Sequence, residues 1–263
     1  DQFPNPSTAG TPAGWVPTTT TSQNITLSQD GAVLQDVRLT DGADITVTGK
    51  NVTIRRVELV GGYINNQPGR VPCGNGLLIE DASVLGGPGD QENGQEAAIS
   101  YGGYTARNVE ISDRSEGFRV SGTSFGCGPV TIENSFERIT PPDPCGDWHG
   151  DGIQSYGGEA VTVRNVAIDM RTSGCYGTAP FFRPAGQDNT GPATVDRLLV
   201  MGQGFPFRLA MPGSVTGLKI VDGSWIFGPV DVDCSALSSW EAKVVNIDSN
   251  YAVTSVVRDQ PCT

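Results

Sequence analysis

One short stretch of the chain gathers most of the residues that could do chemistry. Between positions 143 and 154 lie Asp143, Cys145, Asp147, Trp148, His149, Asp151 and Gln154, and His149 is the only histidine in the sequence. An imidazole beside carboxylates gains basicity and can take up or release a proton near neutral pH. Trp148 offers an apolar face on which a sugar ring could lie. The same histidine also reads as a turn residue bonded to Asp147 or Asp151, so its neighbours decide the matter. Four segments of one pattern supply them: EGFRVSG (116–122), DGIQSYGG (151–158), PFFRPAG (180–186) and PFRLAMPG (206–213). Each reads as a short strand, with Phe118, Ile153, Phe182 and Phe207 facing inward and Arg119, Gln154, Arg183 and Arg208 facing outward. AAISYGG (97–103) and PVDVDC (229–234) extend the row, with Ile99 and Val232 inward and Ser100 and Asp233 outward. Stacked in register, the outward side chains would fall on successive rungs ~4.8 Å apart.

That clustering runs against the composition. The chain has 17 Lys and Arg against 29 Asp and Glu, a formal net charge of -12. Like charges on adjacent rungs repel, so stability alone does not place arginines there. An anionic ligand would relieve the repulsion, and Arg grips carboxylates and sulfates with two parallel hydrogen bonds. A groove along stacked strands suits an extended polymer, which points to an anionic polysaccharide. The acidic balance argues against nucleic acid and anionic membrane as partners. No apolar run approaches the ~18 residues that would cross a bilayer. A P-loop, a GxGxxG between strand and helix, a GxSxG and zinc-spaced His/Cys pairs are all missing. No cofactor is expected. Asp143, Asp147, Asp151 and Glu116 could converge on a calcium ion, although nothing in their spacing requires it.

The elements that must position these residues form a repeat. NVTIRRVEL (51–59), GLLIEDASV (76–84), YTARNVEI (104–111), VTIENSF (130–136), VTVRNVAI (161–168), ATVDRLLV (193–200), LKIVDG (218–223) and KVVNID (243–248) align on Ile54, Ile79, Ala106, Ile132, Val163, Val195, Ile220 and Val245. Successive separations are 25, 27, 26, 31, 32, 25 and 25 residues. One short β-branched strand per period of this length predicts an all-β solenoid, a parallel β-helix of about 8 coils. Val52, Ile54 and Val57 alternate toward a core. Two positions after the aligned residue stand Asp81, Asn108, Asn134, Asn165 or Asp222, types that tolerate a left-handed backbone and suit a corner. Stacked corners predict a ladder of asparagines.

The single domain spans 1–263. Its Pro/Thr/Gly-rich start (1–30) is expected to cap the first coil, with strands from 24–27 and 32–39, and 228–263 to form the last coil and tail. The wide separations mark two insertions, 137–150 and 170–179, at one corner of neighbouring coils, so a Cys145–Cys175 disulfide follows. Cys234–Cys262 would pin the tail, and Cys73–Cys127 remains by elimination. Six scattered cysteines without a CxxC pair suggest disulfides and an oxidising compartment. The alternative is six buried thiols. Starting on Asp1, the chain reads as a secreted, extracellular protein after removal of its leader.

FPNPSTAGTPAG, the VTIRR and VTVRN strands, GGYTARNVEI, EGFRV and HGDGIQSYGG resemble secreted bacterial right-handed parallel β-helix proteins, a superfamily rich in polysaccharide lyases and pectin-degrading enzymes. The resemblance runs from Phe3 to about Trp225. It implies a polysaccharide-cleaving activity, without the calcium cluster of pectate-lyase-like members and with only part of the Gly-His-Gly and aspartate set of polygalacturonase-like hydrolases. The expected reaction is β-elimination from a uronate-containing polysaccharide by a monomer. His149, Arg119, Tyr156 and Asp151 are the expected catalytic residues. Gln154, Arg183, Arg208, Trp148, Tyr176 and Asp147 are the expected substrate contacts, with Tyr176 a second candidate for the acid. Two alternatives stand beside it: a glycoside hydrolase using a carboxylate pair drawn from Glu116, Asp147 and Asp151, and a non-catalytic glycan-binding β-helix.

Overall fold

The computed structural model describes residues 2–87 and 96–263. Among them, eleven strands form one sheet and nine form a second, and neighbours within each sheet, apart from the final pair, are alternate strands in the sequence. The chain therefore crosses from one sheet to the other and back once per coil, which makes a parallel β-helix. Nine coils pass through both sheets, in keeping with the expected number of about eight, and Val33–Leu39 forms the early strand expected near 32–39. The final strand, Val253–Asp259, turns back antiparallel on Leu237–Ile247. No helix among the described residues is long and apolar enough to cross a membrane.

The repeat sets the core. Ile54, Ile79, Ala106, Ile132, Val163 and Val195 pair in one column down the solenoid, and all are buried. The column then continues to Val215, not Ile220, and Val245 stands opposite Val221. LKIVDG mimics the aligned motif, but it is the second half of the strand Gly213–Val221, where inward aliphatics recur. Two residues beyond the column the backbone is left-handed: Asp36, Arg56, Asp81, Asn108, Asn134, Asn165 and Arg197 have φ between 48° and 63°. Gly217, not Asp222, takes this corner in the next coil, at φ 62°. The corner side chains form the expected ladder. Asn108 Nδ2 donates to Asp81 Oδ1 at 2.6 Å, Asn165 Nδ2 to Asn134 Oδ1 at 2.8 Å, and Arg197 Nε to Asn165 Oδ1 at 2.8 Å.

Within the N-terminal segment, Thr19–Thr21 and Ile25–Leu27 form the end rungs of the two sheets, and the residues before them take a separate path. It runs lengthwise over the ladder from the Arg197 coil to the Asp36 coil. Arg197 donates to the Gln2 carbonyl at 2.6 Å, Gly10 N–H to the Asn108 carbonyl at 3.2 Å, and Trp15 Nε1 to Asp36 Oδ1 at 3.1 Å. Phe3 and Ala9 close a second apolar cluster with Phe136, Leu199, Met201 and Tyr251 on the outside of the tube. Burying that outer face compensates for a sheet that would otherwise be apolar on both sides. All three disulfides form as expected: Cys73–Cys127, Cys145–Cys175 and Cys234–Cys262.

The nine-stranded sheet positions the site. Its inward column runs Ile99, Phe118, Ile153, Phe181, Phe207 and Val230. The outward column runs Arg119, Gln154, Phe182, Arg208 and Asp231. This corrects the expected register by one residue at one strand and by two residues at another. Phe182 stands outward where Arg183 was expected, and Asp231 where Asp233 was expected. In the Phe181–Phe182 doublet either ring could fill the core. Phe181 does so because its ring stacks on Phe207 on the next rung, 4.7 Å away and 12° from parallel, a contact that gains more than its burial alone.

Candidate functional site

An open cleft of about 380 Å³ lies on the outward face of this sheet, lined by Tyr101, Glu116, Arg119, Ser121, His149, Gln154 and Tyr156. Arg119 and Gln154 enter from adjacent rungs of the column described above. Tyr156 lies two residues beyond Gln154, on the same face of its strand. His149 comes from the inserted loop just before Asp151. Its side chain is 67% exposed, with Nε2 3.1 Å from Asp147 Oδ1. The Cys145–Cys175 bridge ties this loop to the neighbouring insertion, and Thr178 donates to the His149 carbonyl at 3.2 Å. A second hollow, sharing Tyr101 and Arg119, continues the groove past Ser100 and Asn65 toward the first coils.

The electrostatics centre on acids. Glu116 is almost fully covered, and one of its oxygens accepts from Arg119 at 3.2 Å. Its other oxygen, Oε1, has no hydrogen-bond partner among the described residues. Burial pushes this carboxyl up to about 7, against the pull of Arg119. On the next rung, Asp151 is sealed beneath Gln154, whose Nε2 donates to Oδ2 at 2.8 Å, while Ala179 N–H donates to Oδ1 at 2.9 Å. Burial, reinforced by neighbouring Glu116, drives Asp151 well above the usual carboxylate range. The Tyr156 phenol is also raised, by burial and then by Asp151, so it is a proton donor at neutral pH rather than a base.

A third acid lies behind this wall. Glu137 is completely buried and occupies an otherwise aliphatic inward column between Ile111 and Ile168. Burial raises it far above its ordinary value, opposed by the Phe118 backbone amide. Its carboxyl fills the space that a side chain at Gly117 would take: a Cβ there would meet Glu137 Oε2 at 1.8 Å and the Gly152 carbonyl at 2.4 Å. Gly117 and Gly152 thus form a thin wall, with Glu116 and Asp151 on one side and Glu137 on the other. Sequence reasoning missed Glu137, yet aligning SFERI with VAIDM shows it in the Ile168 position.

The remaining expected contacts are dispersed. Arg183 is inside the solenoid, fully buried, and donates to the Thr190 and Gly191 carbonyls at 2.8 and 2.9 Å. Burial lowers it to about 10, and it has no access to a ligand. Trp148 is 4% exposed. Its indole turns inward, donates to the Ser115 carbonyl at 2.8 Å and is pressed beneath Gly150, so no sugar stacks on it. Tyr176 lines a different hollow with Gln203, Trp225 and Ile226, which removes it as an acid for this cleft. Asp147 is exposed and touches the cleft only through His149. Arg208 keeps its outward place three rungs from Arg119 and pairs with Asp231 at 2.9 Å. No group of three or more His, Cys, Asp or Glu side chains among the described residues is arranged to hold a metal ion, so Asp143, Asp147, Asp151 and Glu116 do not assemble a calcium site.

No protein-family model, curated protein or solved structure matches the chain. The parallel β-helix and the chemistry of its cleft carry the functional reading.

Proposed function

We propose that this protein cleaves a uronate-containing polysaccharide by β-elimination, and that it works outside the cell, where its three disulfides persist. One observation carries the reading. A single cleft gathers carboxylate-binding donors, Arg119, Gln154 and a Glu116 carboxyl raised to about 7, together with an imidazole and a phenol. The barrier to β-elimination is loss of the proton beside the uronate carboxylate. Donors that grip the carboxylate stabilise the negative charge as it builds there. Arg119 and Gln154 face it from adjacent rungs, and protonated Glu116 adds an O–H donor through Oε1, a buried oxygen without a hydrogen-bond partner among the described residues, which the substrate reaches by displacing the side chains that cover it.

His149 takes the proton from C5 of the uronate, and Asp147 supports the charge the ring acquires. The electron pair left on C5 forms the C4–C5 double bond as the C4–O bond breaks. Tyr156 gives its proton to the departing glycosidic oxygen. Transfer of the proton from His149 to Tyr156, directly or through solvent, restores the starting state. Hydrolysis needs two carboxyl groups facing the bond, and here Asp151 has both oxygens engaged beneath Gln154, which favours elimination.

Digests of polygalacturonate, alginate and hyaluronan test this by absorbance near ~235 nm, the region for an unsaturated uronate, alongside a reducing-end assay. New absorbance with new reducing ends supports elimination. Reducing ends without absorbance replace it with hydrolysis, and neither signal on any acidic glycan overturns the enzymatic reading.

A further inference from the structure

Past Gln154 the outward column turns from polar to aromatic. Phe182 follows on the next rung and Arg208 on the one after. The Arg208 guanidinium lies 4.9 Å from the Phe182 ring centre and 5.9 Å from that of Phe205, and Asp231 holds it in place from the next rung. Phe205 leans against Phe227 at 5.8 Å, and Phe227 is 75% exposed. Tyr156, in the cleft wall, meets Phe182 edge-on at 5.9 Å. The ledge is therefore continuous with the cleft.

Phe227 is exposed and Phe205 half-buried, so neither adds to the core, whose column here is already filled by Phe181, Phe207 and Val230, while Phe182 lies covered beneath Arg208 and backs them. Tilted rings with a guanidinium against them match one ligand chemistry well. The C–H faces of sugar rings are apolar and lie against aromatic planes, while carboxylates at their edges meet the cation. Three rungs separate Arg119 from Arg208, about 14 Å at ~4.8 Å per rung, the length of about three sugar units.

We propose that Phe182, Phe205, Arg208 and Phe227 form a second chain-holding subsite, which binds an acidic polysaccharide about three sugar units from the bond being cleaved. The proposal rests on the reading of the cleft given above and extends it: the enzyme grips long chains and cuts within them. Phe205→Ala/Phe227→Ala and Arg208→Gln variants test it, with Phe227→Ala alone as the variant least able to disturb folding. Each is run through native gels cast with polygalacturonate, alginate or hyaluronan, and assayed on long chains and on short fragments of whichever polymer is cleaved. The expected result is lost retardation and a KM for long chains raised about tenfold at unchanged kcat, with short fragments cleaved as by the wild type. Retardation and KM equal to wild type overturn the subsite while leaving the cleft reading intact, and so does a wild-type protein retarded by none of the three polymers. Retardation that the variants lose, in a protein that cleaves nothing, supports the subsite and overturns the cleft reading instead.

Discussion

Glu116→Gln separates the physics of the cleft from its chemistry. In the folded protein burial raises the Glu116 carboxyl from 4.5 to about 7, with its side chain only 3% exposed. At roughly 1.4 kcal/mol per pH unit, that displacement is worth about 3 kcal/mol. The folded state binds this proton more tightly than the unfolded chain. The stability it contributes is thus fully present below 4.5 and is lost as pH rises to about 7. Glutamine does not titrate. The stability of the variant minus that of the wild type should therefore rise by about 3 kcal/mol between about pH 4.5 and about pH 7 and stay flat on either side. Urea denaturation at a series of pH values, with disulfides intact, measures the difference directly. Taking the difference also removes most of the parallel slope from Asp151 and Glu137, which are raised for the same reason. In catalysis, an amide still donates a hydrogen bond to a substrate carboxylate. Glu116→Gln should thus keep kcat/KM within about tenfold of wild type, whereas loss of a general acid would cost about 10²–10⁴-fold. The wild-type fall in kcat/KM above about pH 7 should disappear in the variant. A difference curve without a step refutes the raised carboxyl. A loss of several thousandfold refutes its role as a carboxylate-binding donor.

Three further perturbations, the first with a control elsewhere, probe the cleft and the wall behind it. Gly117→Ala drives a Cβ into the Gly152 carbonyl and the Glu137 carboxyl and should cost about 3 kcal/mol in urea unfolding. Gly128→Ala, which meets nothing closer than 3.6 Å, should change stability by less than about 0.5 kcal/mol. Glu137→Ile restores the aliphatic column of Ile111 and Ile168 and should stabilise the protein by about 1–3 kcal/mol at neutral pH. Because the raised Glu137 favours the folded state only at low pH, this gain should widen as pH climbs above 4.5. A variant less stable than wild type at every pH counts against the account. Tyr156→Phe should leave the melting temperature unchanged and lower kcat about 10²-fold at constant KM. An unchanged kcat removes Tyr156 as the proton donor.

The fold was legible wherever one residue type has one structural use. Left-handed corners favour Asn, Asp or Gly, so Asp81, Asn108, Asn134 and Asn165 announce the coils, while Arg56 and Arg197 hold the same conformation without that signal. The two wide separations mark loops that must lie side by side, so Cys145 finds Cys175. Legibility failed where a choice depends on neighbours. Phe181 and Phe182 are equally able to face inward, and only the ring of Phe207 on the adjacent rung decides between them, which carries Arg183 into the interior. Trp148 reads as a loop aromatic until Gly150 lets the backbone close over its indole. The ladder was expected, but the strap across it was not. A Pro/Thr/Gly-rich segment has no period of its own, and its path is set by Arg197, Asn108 and Asp36 on other coils.

The location of the cleft also follows from where the solenoid departs from its own rules. Elsewhere its inward columns are mostly aliphatic or aromatic, with Arg114, Arg183 and Asn66 as buried polar exceptions that bond backbone carbonyls. Around Gly117 and Gly152 several departures coincide. Glu137 interrupts an aliphatic column, Glu116 and Asp151 place two carboxyls on adjacent rungs, and two glycines leave the wall between them without side chains. Each is unfavourable alone: a buried acid loses its hydration, like charges repel, and glycine weakens a strand. Independent defects would be scattered over nine coils. Their convergence on the one patch that also carries Arg119, Gln154, Tyr156 and the sole imidazole means that stability was given up there for a common purpose. On the proposed reading, carboxyls raised by burial, Glu116 to about 7, carry less negative charge near neutral pH and let a chain of net charge -12 accept another anion. On the same reading, the acids that look hostile to a uronate help to bind it in their neutral form.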